Sequence, residues 1–171
     1  MGGSDLGLLI LRIAVGMIFA AHGAQKAFGW WSGPGFVGWR GAMSQMRIRP
    51  AGFWAFVSMA VELVGGLLFV LGLLTPLVTA LLVAQSVVII VQVHLAKGFW
   101  NRNGGIEFAL SLLGGVAAVA GTGPGSVSLD AALGLGYSAE MRVALVAIAL
   151  AGAGVAMAIP RLWARQGTTA A

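Results

Sequence analysis

Apolar residues in this chain are gathered into five runs, at about residues 6 to 28, 52 to 74, 77 to 96, 105 to 121 and 143 to 160. Most approach the roughly 20 residues that cross about 30 Å of hydrocarbon at 1.5 Å per residue. The fourth, at about 17 residues, is the shortest and has the least defined ends. The gaps between the runs differ in kind. Thr75 and Pro76 mark the turn between the second and third runs, which predicts an antiparallel helical hairpin. The first gap, Gly29 to Ala51, carries Gly33-Pro34-Gly35 and then Phe36, Val37, Trp39, Met43 and Met46 interleaved with Arg40, Arg47 and Arg49. That pattern predicts a turn followed by an amphipathic segment lying in a membrane interface over 35–49. The fourth gap runs from Gly121 through Gly123-Pro124-Gly125 to Gly134, with Ser128 placed to cap a short helix.

Composition turns these runs into membrane spans. With 59% hydrophobic and 9% charged residues, the chain cannot clothe a soluble domain in charge. The expected fold is an all-α integral membrane protein, a four-helix transmembrane bundle with a fifth, C-terminal transmembrane helix. Residues 1–134 form the core, with the interfacial segment 35–49, and residues 135–171 supply the additional span and a basic tail. Gly65-Gly66, Gly114-Gly115, Gly152 and Gly154 predict close helix packing, and the unbroken apolar fifth run predicts a peripheral or partner-facing place.

Charge orients the bundle. Five crossings put Lys26, Arg40, Arg47, Arg49, Lys97, Arg102, Arg161 and Arg165 on one side, leaving Arg142 on the other, which by the positive-inside rule predicts an outside N-terminus and a cytoplasmic C-terminus. Trp30, Trp31, Trp39, Trp54, Trp100 and Trp163 fall at the same basic boundary. The first run lacks a basic n-region and a small-residue cleavage site, so it is expected to remain as a helix. A sequence pI near 11.2 comes from membrane-flanking segments, so the expected counterpart is anionic lipid and not nucleic acid. The chain has no cysteine, which excludes thiol–disulfide chemistry, cysteine-ligated clusters and covalent haem attachment within it.

Ionisable groups inside a bilayer cost several kcal/mol unless paired or hydrated, so each is a site candidate. Glu62 sits about ten residues, roughly 15 Å, from the basic end of the second span. Counted from its own end, Arg12 comes within roughly 6 Å of the same depth, which predicts an Arg12–Glu62 pair. Along the first run Arg12, Gly16, Phe19, Gly23 and Lys26 follow the helical period, with His22 flanking that stripe. Lys26, near the boundary, is expected to snorkel to the headgroups. Gln85 and Gln92 share a face of the third run, whereas His94 points about 200° from Gln92. Glu107 opens the fourth helix, where it favours the N-terminus and could neutralise Lys26 or Lys97. The two histidines, without a supporting cluster, point to no metal site.

The stretch Leu8 to Trp30, with its early arginine and its His22-Gly23-Ala24-Gln25-Lys26 end, resembles the first span of the DoxX family of bacterial membrane proteins. Val61-Glu62-Leu63-Val64-Gly65-Gly66 through Thr75-Pro76 looks like that family's second span. Gly123-Pro124-Gly125 with Ser128-Leu129-Asp130 looks like its segment after the fourth. The similarity covers about residues 6 to 134, and the fifth run goes beyond the usual four-helix core. The resemblance implies a location in the bacterial cytoplasmic membrane and a core related to quinone-reducing subunits of membrane oxidoreductases.

Together these readings predict an integral membrane subunit or accessory of a quinone-linked redox system. They place a quinone pocket between the first four helices, with Arg12, His22, Glu62, Gln85 and Gln92 as ligand-binding residues and Glu62 and His22 as proton-exchanging candidates. No catalytic residue, and so no enzymatic activity, is assigned, and other membrane subunits are the expected protein partners. The alternative is a structural or assembly subunit of a larger membrane complex, with no ligand of its own. A small-solute carrier is a third reading, which the lack of a broken helix or inverted repeat disfavours.

Overall fold

A computed structural model describes residues 2–168, with side-chain surroundings defined through Ala158. It is helical throughout, with no strand among the described residues. The helices are α1 (Gly3–Phe28), α2 (Gly35–Gln45), α3 (Ala51–Leu71), α4 (Thr75–Ile89), α5 (Glu107–Thr122), the short α6 (Leu129–Ala132) and α7 (Ala139–Thr168). Past Ile89, α4 continues through a π-helical turn, Ile90–His94, and a 3-10 turn, Leu95–Lys97.

Among the described residues, four helical stretches are long and apolar enough to cross a membrane: Gly3–Phe28, Ala51–Leu71, Thr75–Lys97 and Ala139–Ala158. The expected crossing at residues 105 to 121 is the exception. Its helix, α5, has 16 residues and rises about 24 Å, short of the roughly 30 Å a span covers. The outward faces carry Ile10, Met17, Phe56, Val64 and Ile148, all more than half exposed, as suits lipid contact.

The core is built by α1, α3, α4 and α5, through Val15, Phe19, Phe69, Leu82, Val116 and their neighbours. α1 and α3 run antiparallel in the closest approach of the fold. A methyl group at Gly16 or Gly66 would meet the backbone of the opposing helix, and one at Gly23 would overlap Leu63. Gly114, Gly152 and Gly154 face no neighbour, so the packing role expected of them is not used. α7 lies along α4 and keeps its other side exposed, at Val143 and Val155 for example, which agrees with a peripheral place. α2 packs across α3 and α1, as an amphipathic segment over 35–49 should.

The α3–α4 hairpin turns at Gly72, whose φ of +62° ends α3, while Leu73 N–H bonds back to Leu68 C=O. Leu74 follows with φ +51°, a conformation a branched side chain seldom adopts. Asp130 holds it there: its Oδ1 accepts Leu74 N–H at 2.8 Å and its Oδ2 accepts Thr75 N–H at 2.9 Å, so a residue of α6 caps α4. Asp130 N–H in turn donates to Gly72 C=O, and Ser128 caps α6 as expected, accepting from Ala131 N–H at 3.2 Å.

Candidate functional site

Buried charge is concentrated at two levels of the bundle, and the antiparallel register of α1 and α3 sets both. Gly16 meets Gly66 and Gly23 meets Leu63, so Arg12 comes level with Gly72, about 15 Å along α3 from Glu62. The expected Arg12–Glu62 pair therefore does not form. Side-chain direction completes the correction. Helical side chains lean toward their own N-terminus, so in antiparallel helices Lys26 and Glu62 lean toward each other while Arg12 and Glu62 lean apart.

Glu62 is paired with Lys26, Nζ to Oε1 at 2.5 Å, and Lys26 does not snorkel, its side chain being 12% exposed. Gln85 Nε2 also donates to Glu62 Oε1, at 2.9 Å, and to Ser58 Oγ at 2.8 Å. Lys26 Nζ reaches the same Ser58 oxygen at 3.4 Å and stands 4.2 Å from the centre of the Trp39 ring. Three helices thus meet on one ion pair, with a fourth laid over it: Lys26 from α1, Ser58 and Glu62 from α3, Gln85 from α4, and Trp39 from α2. Glu62 Oε2 and Trp39 Nε1 are buried without a hydrogen-bond partner.

Beside this cluster opens a cavity of about 570 Å³, within the range of small-molecule sites. Its walls come from α2, α3, α4 and α7, so it lies outside the α1–α3–α4–α5 core in which the pocket was expected, and the peripheral α7 forms one side of it. Most of the lining is apolar, including Met43, Val61, Leu81 and Met157. Ser58 and Gln85 bring the polar cluster to its surface, Gln92 joins them from the π-helical turn, and Arg47 stands on the lining from the segment after α2. Lys26 and Glu62 are not on the lining but are hydrogen-bonded to Ser58 and Gln85, which are.

The remaining expected residues go elsewhere. His22 is exposed on the outside of α1, edge-on to Phe108 with ring centroids 6.0 Å apart, and takes no part in the cluster. One residue of the helical period, about 100°, separates it from the buried Gly23. His94 Nδ1 lies 2.6 Å from Gly104 C=O and ties down the loop after α4. Glu107 accepts Asn101 N–H at 2.9 Å instead of meeting Lys26 or Lys97. Among the described residues no three metal-ligating side chains come together. Arg161, Trp163 and Arg165 fall among the residues whose side chains are not described.

Arg12 belongs to the other level, 1% exposed, donating to Val127 C=O and lying across Gly72 toward Asp130. Any side chain at Gly72 would displace the guanidinium. Neither Arg12 nor Asp130 lines the cavity beside the Lys26–Glu62 pair.

The family model described as DoxX matches residues 7–95, which run from the first turns of α1 through α4 and include Lys26, Ser58, Glu62 and Gln85. The chain belongs to the DoxX family. It is 34% identical over 127 residues to a Bacillus subtilis protein named "Putative oxidoreductase CatD", covering 74% of this chain and 86% of that one. It is also 32% identical over 133 residues to an uncharacterized membrane protein of Mycobacterium tuberculosis, covering 72% of this chain and 78% of the other. No solved structure matches the chain. This DoxX protein is accordingly a multi-pass membrane protein, and the name of the Bacillus relative agrees with a redox setting.

Proposed function

We propose that this DoxX protein is a membrane component of a redox system and binds a quinone-class molecule in the α2–α3–α4–α7 cavity. The observation that carries the reading is the contrast within that cavity: largely apolar walls meet the polar Ser58–Gln85 group, backed by the Lys26–Glu62 pair. A quinone has the same division, a carbonyl-bearing ring on a hydrocarbon tail. Ser58 and Gln85 would hold a ring carbonyl, the methionine and valine walls would take the ring and tail, and Gln92 and Arg47 would stand farther along the lining. Quinone chemistry couples electrons to protons, and Glu62, joined to Ser58 through Gln85 and Lys26, is the group placed to hold or exchange a proton behind the ligand. The basic segments at the α2 end favour placing the cavity toward the cytoplasmic face, with anionic lipid around it.

A structural role has support in one observation: the Lys26–Glu62 bond joins the two helices of closest approach, and buried pairs can set geometry without doing chemistry. Titration of the purified protein with a short-chain benzoquinone, followed by tryptophan fluorescence, separates the readings. The ligand reading expects saturable quenching that falls at least about tenfold in affinity in Glu62→Gln while helicity is kept. Quenching that never saturates in the unaltered protein leaves the structural reading standing.

A further inference from the structure

Two donors at the polar end of the cavity have no protein acceptor. Trp39 lines the cavity from α2, and its Nε1 is buried and donates to nothing in the protein. Ser58 Oγ already receives two hydrogen bonds, from Lys26 Nζ at 3.4 Å and Gln85 Nε2 at 2.8 Å. With both lone pairs engaged, its own hydroxyl proton remains to be given away. The two donors are held by one cation, since Lys26 bonds Ser58 and lies 4.2 Å from the Trp39 ring centre. Of the nearby carboxylate, Oε1 of Glu62 is occupied by Lys26 and Gln85, and Oε2, itself without a partner, bonds neither donor. A folded interior seldom strands a buried donor, and two beside one cavity call for an acceptor supplied from within it.

We propose that Trp39 Nε1 and Ser58 Oγ form a two-donor clamp on one oxygen of the ligand, which makes Trp39 a specificity-determining residue of the site. The clamp rests on reading the cavity as a quinone-class site, and it narrows that reading to ligands that present a hydrogen-bond-accepting carbonyl oxygen at the Ser58 end. Lys26 is a positioning residue: it does not line the cavity, and it fixes the Trp39 ring and the Ser58 hydroxyl relative to each other. α2 thereby becomes part of the binding site as well as an interfacial helix, because it delivers one of the two donors.

The test uses the full chain in detergent and calorimetric titration with two probes, decylbenzoquinone and decylbenzene, which share the tail and differ in the carbonyl oxygens. Trp39 is replaced by 3-benzothienylalanine, which keeps the fused ring over Lys26 and removes only the N–H; Ser58→Ala is the second variant. The clamp predicts that each replacement weakens decylbenzoquinone binding about tenfold and leaves decylbenzene unchanged. If Ser58→Ala fails to fold, the Trp39 replacement decides alone. Benzoquinone affinity within about twofold of the original, or an equal loss for both probes, overturns the clamp while leaving the cavity a binding site. Absence of saturable decylbenzoquinone binding in the unaltered protein overturns the quinone reading, and the clamp with it.

Discussion

The Arg12–Asp130 level and the Lys26–Glu62 level both bury charge, about 21 Å apart along α1, yet they are wired differently. Asp130 spends its two carboxylate oxygens on backbone N–H groups of Leu74 and Thr75, and Arg12 gives a bond to the backbone of Val127. These bonds join the α3–α4 turn, the α6 segment and the start of α1. At the Lys26–Glu62 level every hydrogen bond is between side chains, Glu62 Oε2 and Trp39 Nε1 are left over, and a cavity begins alongside. Unpaired atoms alone do not separate the two, since Arg12 Nε and Nη1 and Thr75 Oγ1 also lack partners. What separates them is the identity of the partners: charge that holds backbone in place serves the fold, and charge that holds side chains at the edge of a cavity is free to serve a ligand.

The largest effect is expected at Asp130. Asp130→Ala strips the cap from α4 and removes the negative charge toward which Arg12 lies, a loss of about 3–5 kcal/mol by analogy with broken buried ion pairs, read as a drop in thermal midpoint in detergent. A loss below about 1 kcal/mol would remove the distinction between the levels. Next comes a contrast of double variants. Lys26→Met with Glu62→Gln removes both charges of a side-chain pair and should regain most of the stability either single change loses. Arg12→Met with Asp130→Asn should not, because the second acceptor for the Leu74 and Thr75 N–H groups is gone. Equal recovery in both would show that the two levels are built alike.

Cavity filling works on one level only. Ala153→Phe puts a ring between α7 and α4 at a position that lines the cavity, and should weaken quinone binding at least about tenfold while leaving the thermal midpoint nearly unchanged. The smallest effect concerns Tyr137, which donates to Asp130 Oδ1 at 3.5 Å. Burial, and then the charge and hydrogen bond of Asp130, raise its phenol above the ordinary 10.0. Because the folded state favours the protonated phenol, its contribution is present below about pH 10 and is lost as pH rises through the folded value. Thermal midpoints between pH 8 and 11 should fall more steeply in the unaltered protein than in Tyr137→Phe.

Much of this was legible in the residues. The stripe Arg12, Gly16, Phe19, Gly23, Lys26 is the buried side of α1, apart from the 12% exposure of the Lys26 side chain. Glu62 stood out as an ionisable group in an apolar run, the α3–α4 hairpin forms as expected although it turns at Gly72–Leu74 and Thr75 and Pro76 open α4, the Ser128 cap is where it was expected, and Gln85 and Gln92 do share a cavity wall. The pairing was not legible from depth alone, because counting from helix ends ignores the register set by Gly16, Gly23 and Gly66 and the lean of side chains toward the N-terminus. Ser58 carried a signal that was passed over, lying one turn before Glu62 on the same face. Asp130 had none: nothing local in a four-residue helix announces that it caps another helix 55 residues away. Nor could the apolar run of α7 show that one of its sides would close a cavity against α4.

The most direct test of the Lys26–Glu62 level as the ligand-holding end is native mass spectrometry of the protein extracted from its own membrane in mild detergent, beside Glu62→Gln prepared identically. About one quinone-class molecule per chain is expected in the unaltered protein, with occupancy in Glu62→Gln reduced at least about tenfold at an unchanged helical content. A chain that carries no lipophilic carbonyl compound, or one whose occupancy is the same with and without the Glu62 charge, would contradict the account and return this ion pair to a purely structural role.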